Sequence, residues 1–165
     1  MSGRAWIPLF IATCLAAGPE IARAQRAVFL VRHAEKADAT NDTELSAEGH
    51  ARARALAHLL QDAGVTAVYT SEYRRTRQTA EPLVGLRRIT ITSMPARELE
   101  ALVRRIRSEN ADDTVLVVGH SDTVPRLIAA LGGPQSLSIA ESEYDNLFLV
   151  VPKKDGPPTL LVLRY

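Results

Sequence analysis

Cysteine is almost absent: Cys14 is the only one in 165 residues. A single cysteine excludes an intramolecular disulfide and a cysteine-built metal site. There is also no excess of charge. Twenty basic residues face nineteen acidic ones, for a net +1, so no global field directs the chain to nucleic acid or to an anionic membrane. Any bound anion must be held by a few cations concentrated at one place. Internal repeats, low-complexity tracts and linker-like stretches are missing, and the length suits one domain. The apolar stretch Ala5 to Ala17 is too short to cross a bilayer comfortably and carries Pro8.

That stretch has a different use. Arg4 precedes it, Gly18 and Pro19 break it, and Ala22-Arg23-Ala24 forms a small-x-small cleavage pattern. This is the layout of a secretory signal peptide. The expectation is a signal peptide over 1–24, a domain over 25–165, and an exported product, periplasmic or secreted, with no stable membrane insertion. A buried N-terminal helix or a retained anchor is the alternative. Acylation of Cys14 is disfavoured by the bulky Thr13 before it. Cleavage after Ala24 leaves 141 residues with 18 basic and 18 acidic side chains and no cysteine, which removes thiol chemistry altogether.

Beyond this segment, strand and helix patterns alternate. Ala27 to Val31 is a short apolar run of the kind a buried strand requires. Residues 36–44 are polar and read as a loop. Ser46 can cap a helix over 47–63, with Gly64 to end it. Val65 to Thr70 reads as a strand, Glu72 to Leu83 as a helix with Pro82 near its end, and Ile89 to Thr92 as a strand. Leu99, Leu102, Val103 and Ile106 share one helical face. Thr114 to Val118 reads as a buried strand, followed by a helix through Leu131 and a Gly132-Gly133-Pro134 break. Leu147 to Val151 and Thr159 to Leu163 form a terminal hairpin. Such alternation predicts an α/β fold: a three-layer α/β/α sandwich around a mostly parallel, mixed sheet. Ligands of such sheets bind at the carboxyl ends of the strands.

Two predicted strands run into histidine at that end: Arg32-His33-Ala34-Glu35 and Gly119-His120-Ser121-Asp122. A third ends at Ser71, and the helix after it carries Arg74, Arg75 and Arg77. Neutral imidazole is a competent nucleophile near neutral pH. A guanidinium presents a rigid, permanently charged fork that matches two phosphate oxygens. Arg32, His33, Arg75 and His120 are therefore a minimal set for phosphoryl transfer, with Gly119 letting the backbone pass close to the ligand. Taken alone, a strand-end histidine is more often structural, and three arginines on a helix can be a solvated face. His50 and His58, among arginines and alanines, read as solvated or packing residues.

At these residues the sequence resembles the histidine phosphatase superfamily, also called phosphoglycerate-mutase-like. Val31-Arg32-His33-Ala34-Glu35 is similar to its Arg-His signature, Leu45-Ser46-Ala47-Glu48-Gly49 to its Leu-Thr/Ser-x-x-Gly segment, and Ser71 to Ala80 to its Ser-x-x-x-Arg-x-x-x-Thr-Ala segment. Gly119-His120 is similar to its second Gly-His. The resemblance implies His33 as the phosphorylated nucleophile, Arg32, Arg75 and His120 as phosphate ligands, and neither metal nor cofactor; Ser121, next to His120, is a further candidate substrate-binding residue. It departs at Arg52, where the family often has Gln, and at Thr76, where alanine is common.

The implied activity is hydrolysis of phosphomonoesters through a phosphohistidine on His33. The absence of a long insertion to cover the pocket favours hydrolysis over mutase chemistry. The proton donor has two candidates: Glu98, which is preferred, and Asp122. Expected partners are a phosphorylated small molecule or surface glycan, with phosphohistidine proteins as an alternative substrate. Two rivals remain: a phosphate-binding module without turnover, and a metal hydrolase using His33-x-Glu35 and His120-x-Asp122, in which Arg32 and Arg75 would repel the cation.

Overall fold

The expected alternation is realised in a computed structural model of the chain, which describes residues 27–165. The signal-peptide reading of 1–24 and Cys14 lie outside these residues. The elements are β1 (Ala27–Arg32), α1 (Ala47–Leu60), β2 (Val65–Thr70), α2 (Arg74–Arg87), β3 (Ile91–Ser93), α3 (Leu99–Ser108), β4 (Thr114–Gly119), α4 (Thr123–Ala130), β5 (Asn146–Val151) and β6 (Thr159–Arg164). The strands form one sheet in the order β3-β2-β4-β1-β5-β6. β3, β2, β4 and β1 run parallel, β5 is antiparallel to β1, and β6 is antiparallel to β5.

β1 and β4 are apolar throughout because helices cover both faces of the sheet. Val28, Leu30, Val115 and Val117 pack with α3 and α4 through Leu102, Ile106, Leu127 and Ile128. Phe29, Val31, Leu116 and Val118 face the other way, onto Leu56 and Leu60 of α1 and Leu83 of α2. Each leucine fully buried in these layers contributes about 1.5–3 kcal/mol of transfer free energy. No described helix is long and apolar enough to cross a membrane.

Several boundaries differ from the sequence expectation. α2 runs through Pro82 to Arg87 and ends on Arg88 in the left-handed region, φ 55°. The loss of one helical hydrogen bond at Pro82 is outweighed by the burial of Leu83 immediately after it. The longer helix displaces β3 to Ile91–Ser93. α1 stops at Leu60, three residues early, and Gly64 at φ 70° completes the turn into β2.

α1 is also tied to the end of β1. The Ser46 hydroxyl accepts from the Gly49 N–H at 3.1 Å. A Cβ at Gly49 would stand 2.3 Å from the Glu35 carbonyl oxygen. Only glycine lets this helix start against the turn that carries His33.

Candidate active site

Parallel pairing of β1 with β4 sets Arg32 opposite Gly119. The ladder continues one residue further, with the His33 N–H donating to the Gly119 carbonyl at 2.9 Å. The two strand-end histidines are thereby neighbours, their ring centroids 5.3 Å apart at 66°. Both are buried, at 4% and 9% exposure.

His33 Nδ1 lies 2.8 Å from the Ala34 carbonyl oxygen. A carbonyl can only accept, so Nδ1 carries the proton and Nε2 keeps its lone pair. The turn is anchored from α2: the Ala34 N–H donates to Thr79 Oγ1 at 3.0 Å, and Thr79 donates to the Arg75 carbonyl at 2.8 Å. Burial pushes the His33 pKa down to about 3. The Ala34 hydrogen bond opposes this, and the positive charges on His120, Arg75 and Arg32 add to it. The ring is therefore neutral at physiological pH.

His120 Nε2 lies 2.9 Å from Ser71 Oγ, and its Nδ1 is 3.5 Å from a terminal nitrogen of Arg75. Arginine can only donate, so Nδ1 is the acceptor and Nε2–H donates to Ser71. Ser71 can then donate to Thr76 Oγ1 at 2.9 Å, and Thr76 to the Tyr73 carbonyl at 2.8 Å. Thr76, at the position where alanine is common in the resembled family, is the buried end of this chain of hydroxyls. The backbone of His120 is fixed as well, its N–H donating to Thr123 Oγ1 at 2.8 Å. A Cβ on Gly119 would come 2.8 Å from that same oxygen. Gly119 thus makes room for the Thr123 hydroxyl, a local reason that differs from close approach to a ligand. Burial, helped by Arg75, lowers the His120 pKa to about 4 against the opposing pull of Asp122 and Glu72.

Of the three arginines near the start of α2, Arg75 lines the cavity before the histidines, while Arg74 and Arg77 do not. Arg74 pairs with Glu44 and Arg77 with Glu81, and both are exposed. Arg75 lies over the Tyr73 ring at 4.3 Å and donates to the Asn41 carbonyl at 2.6 Å. Burial lowers its pKa from the usual arginine value. Arg32 is more enclosed still. One terminal nitrogen donates to the carbonyls of Ala140, Glu141 and Glu143 at 3.0, 2.8 and 3.3 Å, and the other to the Glu141 carboxylate at 2.7 Å. Its guanidinium lies 4.2 Å from the Tyr144 ring centroid. The Nε–H groups of Arg32 and Arg75 are both buried without a partner among the described residues.

These side chains face a cavity of about 490 Å³, which Ser121 and Asp122 also line. Ser121 donates to Glu141 Oε1 at 2.6 Å. Glu98 instead lines an adjoining crevice with Met94, Leu99 and Leu102. The turn from Pro95 to Glu98 is closed by a 2.8 Å hydrogen bond, and the Glu72 carboxylate holds the Ala96 N–H at 2.7 Å. This arrangement presents Ala96 and Arg97, rather than Glu98, to the histidines. Glu35 is committed to Arg52, at 2.8 and 3.0 Å from Nε and 2.6 Å from a terminal nitrogen. Arg52, where the resembled family often has glutamine, is thereby an anchor for the turn after His33. His50 and His58 are exposed and line no part of the cavity.

Tyr73, Glu141 and Tyr144 are additional members of the site. Tyr73 sits inside the Ser71–Arg75 motif and could have been suspected from its place. Glu141 and Tyr144 lie in an irregular segment before β5, where no periodicity marks them.

Residues 28–98 match the family model described as Histidine phosphatase superfamily (branch 1). No curated protein sequence matches the chain. Solved structures do. The alpha-ribazole phosphatase of Shigella flexneri is 18% identical, covers 84% of this chain and 96% of its own, and superposes with a TM-score of 0.69. A protein of Agrobacterium tumefaciens provisionally identified as the phosphohistidine phosphatase SixA is 22% identical over 84% and 98% of the two chains, TM-score 0.67. The mycobacterial glucosyl-3-phosphoglycerate phosphatase with VO3 is 16% identical over 85% and 98%, TM-score 0.65. At these identities the likeness establishes the shared fold. The stretch that supplies Arg32, His33, Ser71 and Arg75 is the stretch that matches the model of the histidine phosphatase superfamily, branch 1.

Proposed function

We propose that the chain is a phosphatase that hydrolyses phosphate monoesters through a phosphohistidine on His33. The observation that carries the proposal is the hydrogen bond from His33 Nδ1–H to the Ala34 carbonyl. It leaves an unprotonated Nε2 beside Arg75 and His120, in a ring held neutral by burial. A nucleophile ready at neutral pH, flanked by fixed cations, is what phosphoryl transfer requires. The buried Nε–H groups of Arg32 and Arg75 lack acceptors, and phosphate oxygens would supply them.

In this reading Nε2 attacks phosphorus, an N–P bond forms, and the P–O bond to the leaving group breaks. The leaving oxygen takes its proton from a carboxylic acid. Asp122 is the better placed of the two candidates because it shares the cavity with His33. Water then attacks the phosphohistidine, the electron pair of the N–P bond returns to Nε2, and inorganic phosphate leaves. The carboxylate takes up the water's proton. His120, neutral when the site is empty, gains a proton as the dianion binds, and its Nδ1 becomes a donor. Arg32, Arg75 and His120 together balance the charge that develops on the oxygens.

The neighbours named above are phosphatases of different substrates, which supports phosphate removal as the reaction without selecting one ester. The signal-peptide pattern adds export to the proposal, and the amino-terminal sequence of the recovered protein tests it: a start at Gln25 agrees, a start at Met1 does not. For the activity, the test is hydrolysis of p-nitrophenyl phosphate. Wild type should turn over, and His33→Ala, remaining folded, should lose kcat by orders of magnitude. Equal rates would end the proposal.

A further inference from the structure

Arg32 and Arg75 are mounted in the same way. In each, Nη1 is tied to the backbone: Arg32 to the carbonyls of Ala140, Glu141 and Glu143, Arg75 to that of Asn41. In each, the buried Nε–H has no partner among the described residues. Nη2 lies on the Nε–H side of a guanidinium, so the two groups form one edge that can grip two oxygens of a phosphate. Tying Nη1 to the backbone leaves that edge for the cavity.

The two edges differ in one respect. On Arg75, Nη2 stands 3.5 Å from His120 Nδ1, a long contact. On Arg32, Nη2 donates to Glu141 Oε2 at 2.7 Å, with the Tyr144 hydroxyl more distant at 3.5 Å. The other Glu141 oxygen accepts from Ser121 at 2.6 Å. A carboxylate thus occupies half of the edge that a phosphate needs. Ser121 and Arg32 hold the Glu141 carboxyl below the usual carboxylate range, so it is charged at neutral pH. The Arg32 side chain is 3% exposed and that of Glu141 82%. Glu141 is therefore the partner that moves: it can turn into water, while three carbonyls keep Arg32 in place.

We infer that Glu141 is a built-in competitor for phosphate: its carboxylate closes the Arg32 edge in the free protein, an incoming phosphate displaces it, and its return helps inorganic phosphate to leave. The inference rests on the phosphatase reading of the same site and adds no covalent step to it. Acting through Arg32, Glu141 sets how tightly phosphate and its esters are held, and it limits inhibition by the product. A ligand that needs the open edge is weakened in proportion to the fraction of molecules that are open. An ion pair with one buried and one exposed partner, braced by a hydroxyl, favours the closed form about fivefold.

The experiment measures Kd for inorganic phosphate by calorimetry on wild type, Glu141→Ala, Ser121→Ala and the double variant. Glu141→Ala should bind phosphate about fivefold more tightly. Ser121→Ala keeps the negative charge and removes its brace, and should tighten binding about twofold. The double variant should match Glu141→Ala, because Ser121 acts through Glu141. With p-nitrophenyl phosphate, Glu141→Ala should show a lower KM and stronger inhibition by phosphate, with no rise in kcat. Damage to the site would loosen binding rather than tighten it. Unchanged, weaker or absent phosphate binding in Glu141→Ala overturns the inference, and His33-dependent hydrolysis in the same preparation leaves the phosphatase reading intact. Tightening in Glu141→Ala without tightening in Ser121→Ala also overturns it, since the carboxylate would then act by its charge alone. If no ester is hydrolysed, the phosphatase reading fails by itself, and the four Kd values still decide the inference.

Discussion

Replacing both cavity histidines should flatten the dependence of stability on pH. In the unfolded chain an imidazole takes up its proton near 6.5. In the folded protein burial holds His33 down to about 3 and His120 to about 4. Between these values the unfolded state binds protons that the native state refuses, so stability falls as pH drops from 6.5. Going from pH 7 to pH 4 crosses roughly 2.5 pH units below 6.5, worth about 1.36 kcal/mol each, or about 3 kcal/mol per histidine. Both side chains are nearly inaccessible, so solvent screening reduces this little. A combined loss of about 6 kcal/mol is comparable to the whole stability of many domains. The perturbation is His33→Asn with His120→Gln, which places an amide near each hydrogen-bonding nitrogen and removes the titration. The assay is urea unfolding at pH 7, 6, 5 and 4. Carboxylates with lowered pKa, such as Glu35, act mostly below pH 4.5 and in both proteins alike, so they cancel in the difference. Wild type should lose several kcal/mol more than the variant over this range, most of it between pH 6.5 and 4. Parallel curves would refute the picture of two neutral, buried imidazoles.

Three substitutions test other parts of the site. Arg75→Ala should lower kcat/KM for p-nitrophenyl phosphate by two orders of magnitude or more, while Arg74→Ala and Arg77→Ala, at exposed ion pairs, should stay within about threefold; equal losses at all three would show that Arg75 has no special position. Asp122→Asn should lose activity on alkyl phosphates and keep most of it on p-nitrophenyl phosphate, whose leaving group needs no proton; the same selective loss in Glu98→Gln instead would move the donor to the neighbouring crevice. Thr76→Val keeps the volume but removes the hydroxyl that receives Ser71, and should cost about 1–2 kcal/mol in urea unfolding with a smaller effect on kcat; an unchanged midpoint would mean that the Ser71–Thr76 link carries no weight.

The parts of this fold that were legible in the sequence are those with a simple physical pattern. β1 and β4 are apolar runs because both faces are covered, and a run that ends in histidine places that histidine at the carboxyl edge. Parallel pairing of two such runs then brings His33 beside His120. Arg75 was separable from Arg74 and Arg77 because the resembled motif has its arginine four residues after Ser71, and neighbouring helix positions point in different directions. What was hidden depends on contacts distant in sequence. Arg32 is caged by carbonyls more than a hundred residues away, in a segment before β5 with no period to read. The Glu98 preference followed a motif position, whereas the Ala96 N–H bond to Glu72 decides which residues of that turn face the cavity. Pro82 reads as a helix end, yet the burial of Leu83 carries α2 through it.

The most direct test of phosphohistidine chemistry is to trap it. The protein is mixed with a 32P-labelled monoester, quenched in alkali within milliseconds to seconds, and the labelled residue is located by peptide mapping. The label should be stable in base, lost in acid, located on His33, and missing from His33→Ala. Turnover with no label on the protein, or label on any residue other than His33, would contradict the account.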